Sequence, residues 1–171
     1  MMIAAKKGIR VAVAVALISG AVLAQGQRPL VDRSGRSAAK PAAVEYLYPE
    51  QITLPAGEPS TVALHFRIAS GLHINSHTPR EEGLIPTTFS IPEGAGVRLE
   101  GAIYPPGTDF ALSIDPMTKL SVYTGEFIVR ARMVATAGNH LVEGRLRYQA
   151  CENNACAPPR TIPVAIDVIG K

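Results

Sequence analysis

Cysteine is scarce in this sequence: Cys151 and Cys156 are the only two in 171 residues. That count excludes a disulfide-dense scaffold. The pair also lacks Cys-x-x-Cys ligand spacing and has no second pair beside it, which argues against zinc. Helical periodicity is missing too. Beyond the first stretch, no segment repeats apolar side chains at helical spacing over three turns, and 14 prolines punctuate the chain. Gly94-Ala95-Gly96 is not followed by a helix, so a phosphate cradle is not indicated. No Ser/His/Asp hydrolase pattern and no internal repeat occur. The reading calls for no cofactor and no metal.

Net charge of one sign is absent once the leading segment is set apart. Lys6, Lys7 and Arg10 precede an apolar run from Val11 to Leu23, and Val22-Leu23-Ala24 has the small-residue pattern of a cleavage site. Residues 1–24 therefore read as a secretory signal peptide. The run is shorter than the roughly 20 apolar residues a spanning helix needs, and no cysteine follows it to carry a lipid anchor. These three bases account for the whole formal charge of +3, so the chain from Gln25 carries 14 of each sign. Such a balance gives no electrostatic footprint for nucleic acid. Residues 25–43 are rich in Gln, Gly, Ser, Pro and Arg without periodic apolar positions and read as a disordered linker. Residues 44–171 have the size of one domain. No later segment is long and apolar enough to insert stably in a membrane, so the expected product is periplasmic or secreted.

Within that domain the period is two. Val62, Leu64, Phe66 and Ile68 alternate with His65 and Arg67, and Val122, Phe127, Val129, Ala131 and Met133 continue the pattern beyond Leu120. Further strands are predicted over Val44–Tyr48, Ile52–Leu54, Gly71–Ser76, Pro86–Ile91 and Val97–Ile103. Tyr104–Lys119 reads as a long loop with a short strand inside. Leu141, Gly144 and Leu146 are taken as one face of a later strand, and Ile162, Val164, Ile166 and Val168 as that of the last. Many short strands separated by Pro and Gly turns predict an antiparallel β-sandwich or barrel.

Both cysteines fall between those last two strands, separated by Glu152-Asn153-Asn154-Ala155. Asn tolerates left-handed backbone angles, so this is turn-forming sequence. Facing residues of a hairpin lie about 4.5–5.5 Å apart at Cα, within the range a disulfide accepts. The two thiols are placed to bond to each other, as a permanent staple or as a redox reagent. The spacing alone leaves both open.

Tyr148-Gln149-Ala150-Cys151 through Cys156-Ala157-Pro158-Pro159, followed by an alternating strand, resembles the N-terminal periplasmic domain of the thiol:disulfide interchange protein DsbD. Gly71-Leu72-His73-Ile74-Asn75-Ser76, Leu84-Ile85-Pro86-Thr87 and Ser121-Val122-Tyr123-Thr124-Gly125-Glu126 are similar to earlier blocks of its relatives. The likeness runs from about Val44 to Ile169. It implies an all-β, immunoglobulin-like antiparallel β-sandwich that relays reducing equivalents through transient mixed disulfides. The implied partners are a thioredoxin-like or DsbD-like membrane reductase and periplasmic disulfide proteins. It also implies Cys156 as the sulfur that attacks and Cys151 as the resolving thiol.

Two departures from the family stand out. The sequence holds neither a multi-span membrane region nor a thioredoxin-like domain. It also lacks the Asp-Glu-Phe-Tyr-Gly cap, for which Asp109-Phe110 is the nearest counterpart. His73 and Asn75 stand where the family places tyrosines beside the thiols, and Tyr148 is expected to shape the hairpin. His73 and His77, four apart in an extended segment, read as surface or polar-contact residues rather than metal ligands. The competing reading is a secreted immunoglobulin-like binding module whose disulfide is permanent.

Overall fold

A computed structural model of the chain describes residues 42–47, 51–112 and 115–171. The expected signal peptide at 1–24 and nearly all of the expected linker at 25–43 lie outside the described residues. Among those described, the alternating segments form twelve strands in three sheets. No helix there is long and apolar enough to cross a membrane.

The first sheet is built on β3 (Ser60–Ile68) and β9 (Glu126–Ala135), which pair antiparallel from Ser60↔Met133 to Arg67↔Glu126, with β1 (Val44–Leu47) and β6 (Val97–Ile103) at its edges. The second is built on β10 (Gly138–Tyr148) and β12 (Arg160–Gly170), flanked by β5 (Thr88–Ser90) and β2 (Gln51–Leu54). Strands with one inward face bury every second side chain. Leu64, Phe66, Val129, Ala131 and Met133 of the first sheet meet Val142, Leu146, Val164, Ile166 and Val168 of the second in one core, each at most 1% exposed. Phe66 stacks on Phe127 at 5.2 Å and lies 5.4 Å from Tyr46, so aromatic packing adds to the area term. The two sheets pack as a mainly antiparallel β-sandwich, as the period of two predicted; the immunoglobulin-like form was what the family resemblance implied.

Three local expectations need correction. The inward face of β10 is Val142, Gly144, Leu146 and Tyr148, while Leu141 is 71% exposed. Gly144 obscured the register, because its place in the core is taken by a neighbour: a Cβ there would lie 2.8 Å from Phe89 Cε2. Tyr104–Lys119 is not mainly loop but holds β7 (Thr108–Leu112) and the first half of β8 (Asp115–Tyr123). These residues are largely exposed on both faces, so no apolar alternation marks them. The sandwich is also not wholly antiparallel. β2 runs parallel to β12 from Gln51↔Asp167 to Leu54↔Gly170, a pairing between distant segments that no hairpin signal announces. Pro163, paired with Arg145, falls where β12 has only β10 beside it, and there a residue without an N–H is tolerated.

The third sheet positions the cysteines. Its order is β11 (Ala150–Cys151), β4 (His73–Asn75), β8 and β7. β10 and β12 form a continuous ladder that ends at Tyr148↔Arg160. The segment between them leaves that sheet, and its first residues pair with β4 instead, Ala150 opposite Ile74 and Cys151 opposite His73.

Candidate functional site

The cysteine turn is closed by two backbone bonds. Glu152 N–H donates to the Ala155 carbonyl at 2.8 Å, and Ala157 N–H donates to the Ala150 carbonyl at 2.8 Å. Those bonds flank Cys151 and Cys156 without joining them to each other, so the two form a non-hydrogen-bonded antiparallel pair, the kind whose side chains approach most closely. Their Cα atoms are 3.9 Å apart, nearer than expected for a hairpin pair, and their sulfurs are bonded.

The two sulfur-bearing residues differ in access. Cys151 is 2% exposed, paired with His73 of β4. Cys156 is exposed, as is the whole run from Glu152 to Arg160. Beside the bond lies a groove of about 290 Å³ whose apolar lining includes Ala43, Leu72, Ala150, Ala157 and Pro158. Tyr148 lines it too and is 1% exposed. Burial pushes the Tyr148 phenol up, against the pull of Arg160 and the Val44 backbone.

Of the remaining expected residues, His73 and Asn75 lie on β4 and Phe110 on β7 of the third sheet. His73 is 2% exposed, so of the two readings given for it, surface or polar contact, the surface one does not hold. It faces Cys151 in register, and adjacent strands present directly opposite residues to the same face, with Cβ atoms about 4.5–5.5 Å apart. Its ring packs on Phe110 of β7, centroids 4.1 Å apart. Phe110 therefore covers the histidine. His73 Nε2 is buried and has no hydrogen-bond partner, and burial holds the imidazole pKa below its ordinary value. His77 lies elsewhere: exposed, it stacks on Tyr104 at 3.8 Å, and its Nδ1 bonds the Thr87 carbonyl at 2.9 Å.

Asn75, fully buried, has a positioning part. Its Nδ2 donates to the Ile85 carbonyl at 3.1 Å and to Gln149 Oε1 at 3.2 Å. Gln149 in turn donates from Nε2 to the Ala157 carbonyl at 3.3 Å, linking β4 to the far arm of the cysteine turn. The sequence reading gave Gln149 no role, although it stands inside the Tyr-Gln-Ala-Cys motif. A polar side chain between two buried residues, adjoining a turn that must be held, was the available signal. Another omission was Arg80, which bonds Asp109 at 2.7 Å and the Lys119 carbonyl at 3.2 Å, pinning the hairpin that carries Phe110. Arg80, through a hydrogen bond and its charge, holds the Asp109 carboxyl below its ordinary range.

Among the described residues, no three His, Cys, Asp or Glu side chains converge as metal ligands. The chemistry offered is that of sulfur: one exposed cysteine bonded to one buried cysteine, beside an apolar groove and in register with a buried imidazole.

The family model described as "Thiol:disulfide interchange protein DsbD, N-terminal" matches residues 43–167. The crystal structure of the Neisseria meningitidis DsbD N-terminal domain in the reduced form is 20% identical, with 67% of this chain and 82% of that one covered and a TM-score of 0.46. The N-terminal periplasmic domain of ScsB from Proteus mirabilis is 15% identical, with 72% of this chain and 44% of that one covered and a TM-score of 0.48. This chain thus spans less than half of the ScsB domain's length. A search of curated proteins returned no match.

Proposed function

This chain belongs to the family of the N-terminal domain of the thiol:disulfide interchange protein DsbD, and from that premise we propose that it is an exported thiol–disulfide interchange module. Its disulfide-bonded pair relays reducing equivalents to or from a protein partner. The observation that carries this reading is the unequal access of the two cysteines, Cys156 exposed and Cys151 buried. An exchanging disulfide needs one sulfur a partner can reach and a second held back to resolve the mixed species.

In the reducing direction, the Cys156 thiolate attacks one sulfur of a partner disulfide. A Cys156–partner bond forms, the partner's own S–S bond breaks, and one partner thiolate leaves. The Cys151 thiolate then attacks Cys156 Sγ, which re-forms the intramolecular bond and releases the second partner thiolate. Two electrons pass to the partner, with two protons balancing the thiols. A reductant of thioredoxin-like or DsbD-like type restores the dithiol by the reverse sequence. The apolar groove beside the pair would receive residues flanking the partner's cysteine. Export to the periplasm is part of the proposal, supported by the leader-like first 24 residues.

Reduction potential tests the reading. A carrier should equilibrate with glutaredoxin-like or thioredoxin-like couples, at about −200 to −270 mV. A value below about −300 mV would instead mark a permanent bridge and favour a secreted binding module.

A further inference from the structure

We propose that His73 is the proton acceptor for Cys151, the residue that makes the buried resolving thiol reactive. The proposal rests on the interchange function above and assigns it a further catalytic residue.

Cys156, Cys151 and His73 form one cross-strand row: Cys156 is bridged to Cys151, and Cys151 is in register with His73 on β4. Residues directly opposite on adjacent strands point to the same face, so the imidazole stands beside the inner sulfur, on the side away from the outer one. Resolution requires a Cys151 thiolate, yet burial favours the neutral thiol. A thiol in that position needs a neighbouring base.

His73 has the properties of one. Its burial favours the neutral imidazole, with a lone pair free to accept. Phe110 packs on the ring and excludes water from that side. Its Nε2 is buried and unpartnered while the cysteines are bonded to each other. Buried polar atoms are ordinarily satisfied, so this orphan calls for explanation. In the dithiol, the Cys151 S–H in register with His73 is the donor this atom would accept from.

The step balances. His73 takes the proton of the Cys151 thiol, the resulting thiolate attacks Cys156 Sγ, the Cys156–partner bond breaks, and the partner thiolate leaves. The imidazolium then loses its proton to that thiolate or to water. The charged groups around the histidine are few. Arg67 and Glu126 line the same cleft and bond each other at 2.9 Å. Glu152 adjoins Cys151, and Asp109, next to Phe110, is tied to Arg80 at 2.7 Å and lies 3.9 Å from Lys119.

The test is the reaction of the reduced chain with glutathione disulfide, quenched in acid and followed by mass. Attack on glutathione disulfide adds one glutathione at Cys156, and resolution removes it. In His73→Phe, which keeps an aromatic ring against Phe110, attack should proceed at the wild-type rate. Resolution should slow on the order of 10²-fold near pH 7, so that the glutathionylated chain accumulates. The deficit should close as pH rises into the thiol's own ionisation range. His73→Gln should show the same pH-dependent deficit and serves if the first variant does not fold. Resolution that is unchanged, or slowed equally at every pH, overturns the assignment while leaving interchange intact. A wild-type chain whose dithiol glutathione disulfide never oxidises overturns both.

Discussion

Gln149 donates to the Ala157 carbonyl at 3.3 Å while accepting from Asn75 Nδ2 at 3.2 Å, so one side chain ties the far arm of the cysteine turn to the buried strand beneath it. Gln149→Ala removes these two bonds and the one that Ile85 N–H donates to Gln149 Oε1 at 3.4 Å, and leaves Asn75 Nδ2 with the Ile85 carbonyl alone. The expected loss is about 1–2 kcal/mol, the scale of one partly buried hydrogen bond and an under-satisfied amide. Urea denaturation checks it, with an unchanged slope showing that the fold is retained.

Reduction should not unfold the domain. A loop as short as Cys151–Cys156 contributes only about 2 kcal/mol by the chain-entropy estimate, whereas the sandwich core is built from residues of β3, β9, β10 and β12. The reduced chain should keep its far-ultraviolet circular dichroism and unfold at a moderately lower urea concentration. Collapse of the spectrum on reduction would show that the bond is needed for folding.

The core tolerates less. Phe66 is fully buried and stacks on Phe127 at 5.2 Å. Phe66→Ala should lower stability by about 3–5 kcal/mol through lost burial and a residual cavity. Any molecules that remain folded should react with glutathione disulfide at the wild-type rate, because the substitution lies on β3 and touches neither sulfur. Calorimetry and stopped-flow exchange separate the two effects.

Stability should begin to fall as pH drops below about 6.5. Burial lowers the His73 pKa from its ordinary 6.5, so the unfolded chain binds a proton that the folded chain releases. Stability therefore rises with pH through that window, is fully present above about 6.5, and is lost as pH falls towards the folded value. Asp109 and Asp115, whose folded pKa values are also lowered, add a second loss below the ordinary carboxylate range. Urea midpoints from pH 8 to pH 4 should show a slope near pH 6 that His73→Phe removes.

Much of this was legible in the chain because burial imposes alternation. The inward rows of β3 and β9 could be read directly, and the Tyr-Gln-Ala-Cys turn announced where the sulfurs lie. Leu141 misled because it is apolar yet exposed, while the inward position at Gly144 has no side chain to see. β7 and the start of β8 were hidden by having two exposed faces. The meeting of His73 with Phe110, and of Gln149 with Asn75, depends on how β4 pairs with β11 and β8. Those pairings join segments more than 40 residues apart, as in Cys151↔His73 and Asn75↔Val122, and no local pattern records them.

The most direct measurement of the central claim is trapping at the exposed sulfur. The Cys151→Ala and Cys156→Ala chains, reduced and then mixed with a periplasmic extract, are separated without reductant and any bonded protein is mapped to its cysteine. The account predicts that Cys156 alone holds a partner, joined through that partner's own redox cysteine and released by dithiothreitol. Capture by Cys151 alone, or by neither variant, would contradict it.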